Sequence, residues 1–307
     1  MRINIKEDID MNEQKTTNND ILWHYTTPEG LIGIIESNSL WATDVFFLND
    51  SAEFMHGINI ACDIIKQKIS SLDGDQKERL ERFDTDLSFV GPDHKMPVYV
   101  CSLSKVENEL SQWRAYCQGG GFSIGFPHQG LVGAIQGQHF ELKGCVYDAT
   151  EQKKTINQLI DSQVMPYIEN PEQFSKVACT KQMLSDIVCG GSNKFLWELY
   201  STCSTLKHPS FEIEEEWRLV FDHGYAYEKD ENGKRKIRPK FRTKNGLIIP
   251  YISIKLPETE DFWRKVRIII GPTKYEKELK GSVHTLFRKY HATSIGITQS
   301  EIPFREL

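Results

Sequence analysis

The segment Ile21-Leu-Trp-His-Tyr-Thr-Thr-Pro-Glu29 leaves this chain few local choices. Ile21 to Tyr25 is apolar and aromatic and predicts a short strand. Thr27 then supplies a helix N-cap, and Pro28 a first-turn residue whose missing N–H costs nothing. Leu31, Ile34 and Ile35 recur at helical spacing and form one apolar face. Asn38 predicts the end of that helix, and Ser39 to Thr43, with Trp41, returns to an extended chain. A strand running straight into a capped helix sets its last residues at a turn, where ligand-contacting groups commonly lie. His24, Tyr25 and Thr26 stand there. A lone histidine is more often satisfied inside a core, but this placement weakens that default.

The same pattern continues. Asn49-Asp50-Ser51-Ala52-Glu53 resembles a capping box opening a second helix with a buried stripe of Phe54, Ile58, Ala61 and Ile65. Residues 71–95 are charged and predict a helix and a loop. Met96 to Ser104 predicts a strand, Asn108 to Cys117 a short helix, and Gly119-Gly120-Gly121 its break. Strands are expected over 122–126 and 139–147. Residues 151–206 predict a helical insertion with Leu184, Ile187, Val188, Phe195, Leu196 and Leu199 inside. Phe211 to Phe221 alternates with period two, and 234–254 reads as two strands around Asn245-Gly246. The end predicts strand, helix, strand. The expectation is one α+β domain over 21–307, with residues 1–20 as a flexible polar tail.

Bulk properties narrow the function classes. Of 307 residues, 39% are hydrophobic and 26% charged, an ordinary globular mix, and the net charge of −6 excludes a uniformly basic surface. The seven cysteines include no CxxC pair, so a zinc ribbon is not expected, and free thiols in a reducing cytoplasm are. No run approaches the roughly 18 apolar residues of a membrane helix. P-loop, dinucleotide-fingerprint, nucleophile-elbow and zincin motifs are missing from the sequence.

Three further constellations carry chemistry. Glu212, Glu214, Glu216 and Arg218 fall on one face if 211–221 is a strand, and crowded carboxylates shift each other's pKa unless a cation intervenes. A solvated strand face is the plain alternative, and Glu215, out of phase, allows a bulge. Ser102, Trp113 and Tyr116 could line a pocket for a flat ring, although core packing is the commoner fate of such aromatics. Lys234, Lys236, Arg238, Lys240, Arg242 and Lys244 occupy every second position. Extended, they point one way, either towards phosphates or as a guarded sheet edge.

Taken in order, Trp23-His-Tyr-Thr-Thr27, Gly30-Leu31-x-x-Ile34-Ile35, Leu40-Trp41, Asn49-Asp50-x-x-Glu53, Cys101-x-Ser-x-Ser, Trp113-x-x-Tyr116, Gly121-x-x-Ile124-Gly125-Phe126, Glu214-x-Glu216-Trp217-Arg218 and Ser300-x-Ile302-Pro303-Phe304-Arg305 resemble the bacterial "domain of unknown function 2971" family. The resemblance covers roughly 21–306 and carries no activity. The opening strand-His-Tyr-Thr and GLxxII helix are also similar to ADP-ribosyltransferase folds of the DarT type. That second resemblance implies a split mixed or antiparallel β-sheet core and NAD as co-substrate, with no metal. It implies His24 on the nicotinamide-side ribose, Glu216 as the catalytic acid, Glu214 as the first acid of the pair, and Tyr25 or Tyr116 stacking on nicotinamide. Thr26, Trp41, Asn49, Ser102 and Trp113 join the cofactor-binding set, and Lys236, Arg238, Lys240 and Arg242 the acceptor contact. The implied activity is transfer of ADP-ribose to nucleic acid or protein, as in a toxin or phage-defence effector, with room for an antitoxin or chaperone partner. Two alternatives are an NAD glycohydrolase and a non-catalytic nucleotide- or nucleic-acid-sensing module. A metal-dependent nuclease using Asp50, Glu53 and the glutamates of 212–216 is weaker.

Overall fold

The opening segment folds as its residues predict: β1 (Ile21–Thr26) runs into α1 (Pro28–Ser37). Thr27 Oγ1 accepts the Gly30 N–H at 3.2 Å, and Asn38 ends the helix in the left-handed region at φ 47°. The computed structural model describes residues 20–48, 51–88, 97–117, 120–170, 194–221, 238–244, 246–291 and 295–303. The expected N-terminal tail, Asn49, Asp50, Leu184, Ile187, Val188, Lys234 and Lys236 lie outside them. The chain divides into two compact units, each assembled from distant stretches.

The first unit holds 1–38, 104–134 and 256–307. With elements numbered in chain order, its strands are β1, β4 (Phe122–Pro127), β9 (Arg267–Ile270) and β10 (Gly296–Gln299), in the order β10-β9-β4-β1. The β1–β4 and β4–β9 pairs are antiparallel. The β9–β10 pair is parallel, and α10 (Glu276–His291) supplies the crossover that such a pair needs. This is the expected strand-helix-strand ending. Between β1 and β4 in sequence lies α4 (Leu110–Tyr116). An apolar cluster of Trp23, Tyr25, Trp113, Cys117 and Ile269 is packed at its edge by Ile21, Tyr116 and Ile302.

The second unit holds 39–103 and 135–255. Here β3 (Tyr99–Ser104, its last residue in the first unit), β2 (Ser39–Asp44), β8 (Leu247–Lys255) and β7 (Lys240–Lys244) run in the order β3-β2-β8-β7. A further strand, β6 (Glu216–Phe221), pairs with β3 and with β5 (Phe140–Gly144). Helices α2 (Ser51–Ile69), α3 (Gly74–Ser88), α6 (Ala149–Gln163), α7 (Met165–Glu169) and α8 (Lys194–Cys203) supply most of a large core. The predicted stripe of Phe54, Ile58, Ala61 and Ile65 is buried in it, as are Phe195, Leu196 and Leu199. The coarse reading, helices with a large mixed, mostly antiparallel set of strands, holds.

One local expectation fails. Residues 211–221 do not form a continuous strand. Pro209–Glu214 is a 3-10 turn whose N-cap, His208, accepts the Ser210 N–H on Nδ1 at 3.2 Å. Glu215 follows in the left-handed region at φ 39° and ψ 51°, and only then does β6 begin. Proline at the first turn and a capping side chain outweigh the alternation. Phe211 and Ile213, expected inside, are 43% and 61% exposed.

Candidate functional site

The left-handed corner at Glu215 brings the two flanking acids together. Glu214 and Glu216 each accept a hydrogen bond from Lys207 Nζ, and all three side chains are buried. Arg218, next on the same face of β6, donates Nε to Glu216 Oε1 at 2.7 Å and Nη2 to Oε2 at 3.0 Å. Its Nη1 reaches the Ser204 carbonyl at 2.7 Å, and Glu53 of α2 stands 3.6 Å from Nη2. Three carboxylates thus share two cations in a region nearly closed to water. Desolvation pushes the Glu216 pKa upward, but the charges of Arg218 and Lys207 and their hydrogen bonds outweigh it and hold the group ionised, down to about 2. The backbone is pinned too. The Glu216 N–H donates to Tyr147 Oη at 2.8 Å, and its carbonyl accepts the Cys145 N–H at 2.8 Å. Burial raises both the Cys145 thiol and the Tyr147 hydroxyl, so both remain neutral.

In the first unit, His24 is half-buried in the middle of β1, opposite Ile124 of β4. Tyr25 is 7% exposed. Its hydroxyl donates to the Val106 carbonyl at 2.8 Å and accepts the Glu109 N–H at 3.0 Å. Its ring meets Trp113 edge-on at 4.9 Å, and Trp113 Nε1 donates to Asn108 Oδ1 at 2.8 Å. Ser300 Oγ donates to the same oxygen at 2.7 Å, tying in the C-terminal segment. Tyr25 and Trp113 are therefore core residues, and the expectation that they present open rings to a ligand is corrected. Satisfying a phenol and an indole internally is what permits their burial. Tyr116, at the cluster's edge, is half-buried and is the more accessible of the two proposed stacking tyrosines.

Residues 112–219 match a family model described as "Protein of unknown function (DUF2971)". The match supports placing this chain in the DUF2971 family. It starts on α4 and ends within β6, so it takes in the Trp113-x-x-Tyr116 and Glu214-x-Glu216-Trp217-Arg218 motifs. No curated protein and no solved structure matches the chain.

The remaining residues singled out from the sequence fall elsewhere. Thr26 ends β1, and its carbonyl accepts from Cys117 Sγ at 3.4 Å. Ser102 is half-buried on β3. Trp41 on β2 packs against Tyr251 of β8 at 5.2 Å, and Arg242 of β7 lies over its indole, 5.3 Å from the centroid. Lys240 on β7 and Arg238 just before it are exposed. Of the proposed ladder's described members, Arg242 alone turns inward. Asn49 and Lys236 lie outside the described residues. Among the described residues no group of three or more His, Cys, Asp or Glu could hold a metal ion, and no helix is long and apolar enough to cross a membrane.

Sequence reasoning missed Lys207, Tyr147 and Tyr251. Lys207 had a visible signal. It is a single cation directly after the apolar Leu206, seven residues before the first of two acids that needed one. Nothing in the sequence marks Tyr147 or Tyr251.

Proposed function

We propose that this chain is an NAD-dependent ADP-ribosyltransferase, moving ADP-ribose from NAD to a nucleic-acid or protein acceptor. The observation that supports it is the convergence of Glu214 and Glu216 on Lys207 at the start of β6, with Glu216 kept ionised. Breaking the bond from nicotinamide to ribose builds positive charge on the sugar, as in glycoside cleavage. A carboxylate already oriented favours that charge without reorganising as it forms. In the second unit, β3 pairs with both β2 and β6, as a sheet that divides requires. Glu216 is closed in by three donors, so the reading gives the sugar contact to Glu214, 9% exposed against 5% for Glu216. Glu216 and Lys207 position it.

The test is nicotinamide release from NAD, with and without nucleic acid or cell extract, beside thermal unfolding of each variant. Glu214→Gln should lower release by roughly 100-fold or more while leaving the fold intact. Absence of release under every condition, or release unchanged in Glu214→Gln, refutes the reading.

A second reading has its own observation. The lone pairs of Glu216 are largely taken by Arg218 and Lys207, the arrangement of a structural ion network. On that reading the chain is a non-catalytic nucleotide- or nucleic-acid-sensing module, and binding without turnover identifies it.

A further inference from the structure

A second group of side chains gathers on one face of the strands of the second unit. Across β2, β8 and β7, residues directly opposite one another share a face. Thr43 stands opposite Tyr251 and Tyr251 opposite Lys240; Trp41 is opposite Ser253, Arg242 opposite Ile249, and Lys244 opposite Leu247. One face therefore carries Trp41, Thr43, Tyr251, Lys240, Arg242 and Lys244.

Arg242 reveals how this face is built. Its Nη2 donates to Thr43 Oγ1 at 2.8 Å, although β8 lies between their strands. Two strand spacings are roughly 10 Å, so the side chain lies flat across β8. That path covers Ile249, which is 4% exposed. The guanidinium ends over the Trp41 indole, and the Tyr251 ring is tilted 40° to it. Arg242 Nε is buried and has no hydrogen-bond partner among the described residues. Lys240 and Lys244 extend from the same face, exposed, with no ion pair among the described residues. Lysines that only guard an edge strand would explain Lys240 and Lys244, since β7 ends the strand order. They would not explain an arginine drawn inward over the Trp41 ring.

We infer that this face of β2, β8 and β7 binds single-stranded nucleic acid. A base would stack in the half-buried aromatic pair of Trp41 and Tyr251, and the backbone phosphates would follow Arg242, Lys240 and Lys244 along β7. Stacking accepts any base because each has a π-face, while unpaired bases alone are free to turn into such a seat. The cations supply affinity without sequence preference. On a chain of net charge −6, a local row of cations concentrates polyanions at this one place. The inference goes beyond the transferase reading and does not rest on it.

The test is fluorescence anisotropy of the full chain, in the absence of NAD, with labelled single-stranded DNA and RNA of about 15 nucleotides, a length near the upper end of common site sizes. The same sequences as duplexes, and a mononucleotide, serve as competitors. Binding should weaken steeply with salt, and single strands should bind more tightly than duplexes. Lys240→Gln with Lys244→Gln, both exposed, should reduce the salt slope by roughly 1.4, about 0.7 for each phosphate no longer neutralised. Trp41→Ala should weaken binding by roughly tenfold. No binding of single strands at low salt overturns the inference, as does equal or tighter duplex binding, or a double lysine variant with unchanged affinity and salt slope. Because NAD is left out, binding and nicotinamide release can each fail alone.

Discussion

Replacing Lys207 by methionine keeps most of a buried stem and removes the one charge that both Glu214 and Glu216 share. Two independent routes lead to the cost. Glu216 is lowered from 4.5 to about 2 by Arg218 and Lys207 together, against desolvation. At 1.36 kcal/mol per unit, that shift is worth about 3 kcal/mol for the two cations together, of which Lys207 supplies a part. Removing one member of a buried ion network costs roughly 3–5 kcal/mol, because it strands the remaining charge. Lys207→Met should therefore lose about 3 kcal/mol at neutral pH, measured by urea unfolding followed by tryptophan fluorescence. The pH dependence carries the sign. Because the folded pKa of Glu216 is depressed, its contribution is present above pH 4.5 and is lost as pH falls towards 2. The wild-type chain should lose stability across that window, and the variant should lose less. Adding Glu214→Gln to Lys207→Met removes one of the two repelling acids and should recover part of the loss. A cost below about 1 kcal/mol, or an acid profile identical to wild type, would refute the view that Lys207 holds this pair together.

Two further perturbations read other parts of the molecule. Tyr25→Phe leaves the Val106 carbonyl and Glu109 N–H without their hydroxyl partner and should cost about 1–3 kcal/mol in urea unfolding; a neutral result would mean that water replaces the hydroxyl. Asp44 caps the turn at Phe46, and burial raises its pKa from 3.8 to about 6, the hydrogen bonds from Phe46 and Val98 only partly opposing. A raised folded pKa means full stability below pH 3.8, lost as pH climbs through about 6. Asp44→Asn should abolish that decline and be the more stable form above pH 6, by about 1–2 kcal/mol after subtracting roughly 1 kcal/mol for the weakened cap; an unchanged slope between pH 4 and 6 would contradict the assignment.

Local chemistry was legible wherever a short stretch decides its own conformation. Thr27-Pro28 starts α1, Asn38 ends it, and the stripe from Phe54 to Ile65 faces the core, because a cap, a fixed φ and a 3.6-residue period act within a few residues. The stretch 211–221 misled for the same reason. Its alternation is a local signal, but the capped 3-10 turn at His208-Pro209 and the left-handed Glu215 are equally local and prevail. Glu214 and Glu216 still meet, though by a corner and not by the pleat of a strand.

Long-range partners were another matter. The sequence by itself determined the alternation of helices and strands, the capped junction after Thr26 and the presence of two acids in need of a cation. Only the tertiary structure decided that the cation is Lys207, that Tyr25 and Trp113 are buried in the core, and that Arg242 crosses a strand to reach Trp41. It also decided that two units would each be assembled from interleaved stretches. The physical reason is common to all four. Propensity, capping and periodicity are properties of neighbours along the chain, whereas burial, ion pairing and cross-strand register depend on which distant segments pack together.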